Sequence, residues 1–169
     1  MGFFPRNPLP ESDAETVCDA LQPVLVALIA MALQAKQAHW NVYGTQFLSV
    51  HEKLDDVVES ARKGVDIVAE RMAQLGRSPD GRVATVHESA PEAPYPAGFQ
   101  DVPSTLTLIC DRLHTVTKVM HEAIEVVGDP DPPTEDYLNA ITQELEEHLW
   151  MLQAMEQDNG SAGEPSAAG

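Results

Sequence analysis

KQAHWNVYGTQFLSVHEKLDDVVESARKGVDIVAERMAQLGRSP, residues 36–79, carries the pattern on which the fold and its chemistry turn. Asn41 and Gly44 break one helical stretch. From Thr45 to Leu75 apolar residues again recur at helical spacing, and Gly76 supplies a C-terminal stop. On this helix His51 and Asp55 stand four residues apart, as do Asp66 and Glu70, so each pair lies on one face, one turn apart. At roughly 100° per residue all four fall within a sector of about 100°. Along the axis they span about 28 Å at roughly 1.5 Å per residue, too far to share one ion. The two pairs are mirrored about the point between Ser60 and Ala61. An antiparallel copy packed across a two-fold axis there sets His51 and Asp55 of one chain against Asp66 and Glu70 of the other. Because a two-fold interface is self-complementary, two identical sites form at once. Ser60, Ala61 and Gly64 are small and are expected to permit close approach at the axis.

Working outward, a first helix is expected from about Ser12 to about His39, opened by a Ser12–Glu15 capping box and kinked or delayed by Pro23. Residues 1–11 read as an irregular arm. The proline- and glycine-rich stretch 77–103 reads as a long ordered connection holding one short helix. A third long helix is expected from about Ser104 to Val127. After a turn at 128–133, a fourth runs to about Gln157, with Pro132 and Pro133 at positions where a first turn tolerates proline. Residues 158–169 read as a flexible tail. No strand-like alternation is visible. The expectation is an all-α four-helix bundle over 12–157, with a long crossover between its second and third helices. That is the ferritin-like topology, since an up-down-up-down bundle needs only a short loop there.

The formal net charge of −17, from 27 acidic and 10 basic residues, favours cations or basic proteins as partners over nucleic acid or anionic lipid. Cys18 and Cys110 lack metal-site or redox-motif spacing and read as buried, reduced thiols. No signal core or spanning stretch is apparent in the sequence, so a soluble cytoplasmic protein is expected. Imidazole with carboxylates suits iron, manganese or zinc. The absence of cysteine from the set argues against a structural zinc site.

The run His39-Trp40-Asn41, then His51-Glu52, Asp55, Asp66, Ala69-Glu70-Arg71 and Leu75-Gly76 resembles the signature of the Dps family, the mini-ferritins or DNA-binding proteins from starved cells. The segment HLWMLQA, 148–154, is similar to that family's final helix. The resemblance implies a ferroxidase centre at a dimer interface. His39, His51 and Asp55 would come from one subunit, and Asp66 and Glu70 from its two-fold mate. It also implies dodecameric hollow shells that oxidise Fe(II), usually with hydrogen peroxide in preference to oxygen, and store Fe(III) mineral. Trp40 resembles the family tryptophan beside the site, as an absorber of stray oxidising equivalents or a packing aromatic. Lys36, one turn before His39, is expected to hydrogen-bond near the site.

After Lys118 there is no Lys or Arg, while 119–169 carry twelve Asp and Glu. By the same resemblance, Asp129, Asp131, Glu135 and Asp136 line a three-fold pore that draws cations inward. The alternative is solvated acids at a helix N-terminus. Glu144 and His148, four apart, read as a solvated helix face or as a nucleation site for mineral. The family's DNA binding often relies on lysine-rich arms. Here the N-terminal arm has only Arg6 and the tail has no base, so no appreciable direct DNA binding is expected at physiological salt. Two other functions compete: a non-catalytic acidic shell or nucleoid-associated protein with a degenerate site, and a metal-dependent hydrolase. Intact ligand types at all five positions argue against the first. The lack of a nucleophile or oxyanion arrangement argues against the second.

Overall fold

The computed structural model describes Phe4 and residues 6–161, with side chains described to residue 157. Four long helices form the bundle: α1 (Glu11–Asn41), α2 (Phe47–Gln74), α4 (Val102–Val127) and α5 (Pro132–Ser161). The short α3 (Val83–Ser89) lies in the crossover and packs on α1. Neighbours in the bundle are α1 with α2, α4 with α5, α1 with α4, and α2 with α5. One apolar core joins them through Leu21, Leu25, Leu28 and Met31 of α1, Leu54 of α2, Leu106, Ile109, Leu113 and Met120 of α4, and Leu138 and Leu145 of α5.

Several local expectations are corrected. Pro10 takes the N-cap position of α1 without a side-chain cap, and the Ser12 hydroxyl bonds Asp13 instead, so the Ser12–Glu15 box does not form. The helix runs unbroken through Pro23. Pro23 is exposed, so the carbonyl it orphans one turn earlier can be met by water. Two residue pairs form a small parallel sheet: β1 (Val42–Tyr43) beside β2 (Gln100–Asp101). It ties the end of α1 to the start of α4, the end to which the crossover must return. Segment 158–161 continues α5, whereas the rest of the expected flexible tail, and Met1 to Phe3 and Pro5 of the arm, lie outside the described residues. By length and composition α1 does qualify as a possible membrane span, contrary to the sequence expectation; 61% of its most apolar window is buried inside the bundle.

Other expectations hold. Gly76 has φ 76°, its N–H reaches Ala73 O at 2.9 Å, and Arg77 N–H reaches Met72 O at 3.0 Å, the paired bonds of a Schellman stop. α4 starts two residues earlier than expected, at Val102, and Asp101, which the sequence pattern does not single out, caps it by accepting from Ser104 N–H at 2.9 Å. Cys18 and Cys110 are buried free thiols, and burial pushes their pKa values up to about 11 and about 12.

Buried Arg112 anchors the crossover. Its Nε donates to Gln34 Oε1 at 2.6 Å, its Nη1 to Leu108 O at 2.8 Å and its Nη2 to Ala93 O at 3.0 Å. Nearby, both Glu92 carboxylate oxygens are buried and lack hydrogen-bond partners among the described residues. Burial raises this carboxyl from 4.5 to about 7. Folding therefore favours the protonated form: stability increases as pH falls through about 7 toward 4.5 and is lost above that window. Glu92→Gln should flatten this dependence. Urea midpoints at about pH 5 and about pH 8 check it, and the variant should gain most at the higher pH.

Candidate metal centre

The end of α1 and the first turns of α2 meet at two histidines. His39 is buried, at 7% exposure, and His51 is half-buried. Their rings stack with centroids 3.6 Å apart. His39 Nδ1 lies 2.9 Å from His51 O, and His51 Nδ1 lies 3.0 Å from His39 O. A carbonyl oxygen only accepts, so each Nδ1 carries the proton and each Nε2 is left with a free lone pair. Such an arrangement fixes tautomer and ring orientation before a metal arrives. The Phe47 ring, 5.0 Å from that of His51, adds a tilted contact that the ligand spacing gave no hint of.

Asp55 completes this half-site. Its Oδ1 is 3.4 Å from His39 Nδ1 and 2.5 Å from Lys36 Nζ. The Lys36 hydrogen bond holds the Asp55 carboxyl below the usual carboxylate range, with the charge of His39 and Lys36 helping. Lys36, His39, His51 and Asp55 are thus brought together. At neutral pH Asp55 is ionised with or without Lys36, so the ammonium acts mainly as a competitor that an incoming cation must displace. Lys36→Met should therefore tighten binding of redox-inert Zn(II) several-fold, measured by calorimetry. Weaker binding would show that Lys36 supports the site rather than guarding it.

Asp66 and Glu70 are exposed on the same face of α2. They stand about 16 Å and about 28 Å along the axis from Asp55 and His51, so one chain does not unite the two pairs. Among the described residues, no group of three or more His, Cys, Asp and Glu side chains within a chain is placed to hold a metal. Trp40 is 65% exposed and so is not a packing aromatic of its own chain's core.

The small residues near the mirror point do not serve the expected purpose. Ala61 and Gly64 are buried, and a Cβ on Gly64 would come within 3.0 Å of Ile141 and 3.2 Å of Leu28. Ser60 faces α5, its hydroxyl 2.9 Å from His148 Nε2. These residues seat α2 in its own bundle, on the side opposite the ligand face.

The acidic turn divides. Asp131 is 1% exposed and faces inward, its Oδ1 and Oδ2 at 2.9 and 2.8 Å from Arg71 Nη2. Thr134 donates its hydroxyl to the same carboxylate. Asp131 is thus a buried ion-pair partner rather than a solvent-facing pore acid. Asp129 and Asp136 are exposed and Glu135 half-buried. Glu144 and His148 are also engaged within the chain: Glu144 pairs with Lys63 at 2.7 Å, and His148 faces Ser60.

Residues 18–159 match the family described as a ferritin-like domain. The chain is 33% identical to the DNA protection during starvation protein of Agrobacterium fabrum, over 90% of this chain and 95% of that protein. It is 35% identical to DNA protection during starvation protein 2 of Deinococcus radiodurans over 86% of this chain, and the match spans 61% of that relative's length. The solved structure of Mycobacterium smegmatis Dps in its tetragonal form superposes with a TM-score of 0.86 at 33% identity, covering 92% of this chain and 94% of that one. Sequence signature, bundle topology and relatives agree: the chain belongs to the Dps family of ferritin-like proteins.

Proposed function

We propose that this protein oxidises Fe(II) at two-subunit centres, preferably with hydrogen peroxide, and stores the Fe(III) as mineral inside a homo-oligomeric, dodecameric shell in the cytoplasm, limiting oxidative damage. The observation that supports this most is the reciprocal Nδ1–H to carbonyl pairing of His39 and His51, which leaves both Nε2 lone pairs available while Asp55 Oδ1 lies 3.4 Å from His39 Nδ1. Asp66 and Glu70 of the two-fold mate complete the set. Iron is substrate and cargo here; zinc or manganese fits the same donors.

The chain's residues divide the work. The fixed imidazoles give neutral donors, and the carboxylates give negative charge that favours Fe(III) over Fe(II). Two Fe(II) ions each lose one electron, the peroxide O–O bond breaks, and two hydroxides result. A two-electron acceptor consumed at paired irons releases no hydroxyl radical. Few protein ligands leave positions open for the oxidant. Exposed Asp129 and Asp136, with half-buried Glu135, would draw Fe(II) toward a three-fold pore. Trp40, next to His39 in sequence and exposed, would absorb stray oxidising equivalents. The charge of −17 gives counterion release little to work with, so the protein does not bind duplex DNA appreciably by itself at physiological salt.

Stopped-flow absorbance after mixing the wild-type protein with Fe(II) and either peroxide or oxygen tests this reading. The expected result is fast oxidation, faster with peroxide, and iron that co-elutes with the particle. Oxidation no faster than in buffer would contradict it.

A further inference from the structure

The outward face of α2 carries more mirrored positions than the metal ligands. Leu48, His51, Asp55, Glu59, Arg62, Asp66, Glu70 and Ala73 all fall within one sector of about 100°. All are exposed except half-buried His51. Taken from the ends inward they form four pairs, 48 with 73, 51 with 70, 55 with 66 and 59 with 62, that share one midpoint between residues 60 and 61. The innermost pair joins opposite charges, Glu59 and Arg62.

Within the chain these two groups are idle. Among the described residues neither makes an ion pair or a side-chain hydrogen bond. They lie three apart, a spacing that permits pairing on a helix, and Arg62 has Asp66 four residues on. Lys63, four residues after Glu59, is committed to Glu144 on α5 at 2.7 Å. The bundle thus leaves one free carboxylate and one free guanidinium side by side on the face that must meet a second copy.

We propose that Glu59 and Arg62 form two reciprocal ion pairs with a second copy of this chain at the two-fold axis, midway between the two metal centres, and set the register in which the copies join. The inference rests on the two-subunit reading of the metal site. With α2 antiparallel to its copy about the shared midpoint, Glu59 of each chain faces Arg62 of the other. Both pairs lie about 2 Å along the axis from the two-fold, and each metal centre about 11 Å from it at roughly 1.5 Å per residue. The same charges penalise other registers. A four-residue slip one way sets Glu59 against Asp66 and Asp55 against Glu70, all like charges. A four-residue slip the other way sets Arg62 against Asp55 and His51 against Asp66, which consumes three ligands and leaves Glu59 and Glu70 unmatched. Complementary charge at an interface acts chiefly by suppressing such wrong registers and partners.

Charge reversal in the full chain tests this. Glu59→Arg places two arginine–arginine contacts at each axis, and Arg62→Glu places two glutamate–glutamate contacts. Both side chains are exposed, so circular dichroism should show unchanged folding. Sedimentation velocity at low salt should show each single reversal weakening dimer association at least about tenfold, since like charges facing each other at an interface are costly. The double variant restores opposite charges at both contacts and should return to within about threefold of wild type. Single reversals without effect, or a double variant as weak as the two losses combined, would overturn the proposal. A wild-type chain that stays monomeric would overturn it together with the shared centre. If the double variant recovers association but the wild type does not oxidise iron, only the iron-oxidising reading falls.

Discussion

Replacing His51 and Asp55 together by alanine lowers peroxide-driven Fe(II) oxidation at least about a hundredfold, since loss of even an outer partner at a metal site costs about ten- to a hundredfold. The double change removes one fixed Nε2 donor and the carboxylate beside it. It also removes the Nδ1–H that holds the His39 carbonyl, and the carbonyl-to-imidazole bond that orients His39 survives only through the backbone at position 51. Asp66→Ala with Glu70→Ala should cause an equal defect, although these residues lie about 16 to 28 Å away along the same helix. A pair so distant within its own chain has no reason to matter unless a second copy brings it to the histidines. All four changes sit on the outward face of α2, so folding should persist, as circular dichroism would confirm. Oxidation within a few-fold of wild type in either variant would remove the assigned centre.

Asp131→Ala should give the largest loss of stability. Asp131 is almost completely buried and takes two bonds from the Arg71 guanidinium, whose side chain is only 11% exposed. Removing the carboxylate leaves a confined cation with Thr134 Oγ1 and Gln74 Oε1 as its remaining side-chain acceptors. Breaking a buried pair by deleting one partner costs about 3–5 kcal/mol. For a domain of this size that corresponds to a fall in Tm of roughly 10 °C. The pair joins the last turn of α2 to the turn before α5, so the damage should spread from that end. Calorimetry of the metal-free protein reads it, and a loss under about 1 kcal/mol would show that the ion pair contributes little net stability.

The ligands on α2 were legible because helical spacing converts sequence separation into direction, whereas His39, on α1, came from the family resemblance. Four-residue steps put His51 over Asp55 and Asp66 over Glu70, and the Gly76 stop was equally plain. What escaped has a common cause: it depends on residues distant in sequence. Arg71 and Asp131 are sixty positions apart, so Asp131 looked like one more acid at a helix N-terminus. The small residues Ala61 and Gly64 looked suited to an axis, but both are buried in their own bundle, Gly64 against Leu28 and Ile141. Two-residue strands have no period to detect, and Pro10 displaced the cap that Ser12 and Glu15 appeared to offer. The reciprocal histidine–carbonyl bonds required the two helices to be placed before they could be seen.

The central claim, a centre shared between subunits, is tested most directly by mixing two inactive variants. One lacks His51 and Asp55; the other lacks Asp66 and Glu70. In a mixed dimer one site loses both halves while the other receives intact halves from each chain. Dissociating equal amounts, reassembling them together and measuring Fe(II) oxidation with peroxide should recover about a quarter of wild-type activity, because half the dimers are mixed and each holds one working site of two. Recovery near that level is the predicted result. No recovery from the mixture, with assembly intact by light scattering, would contradict a site built from two chains.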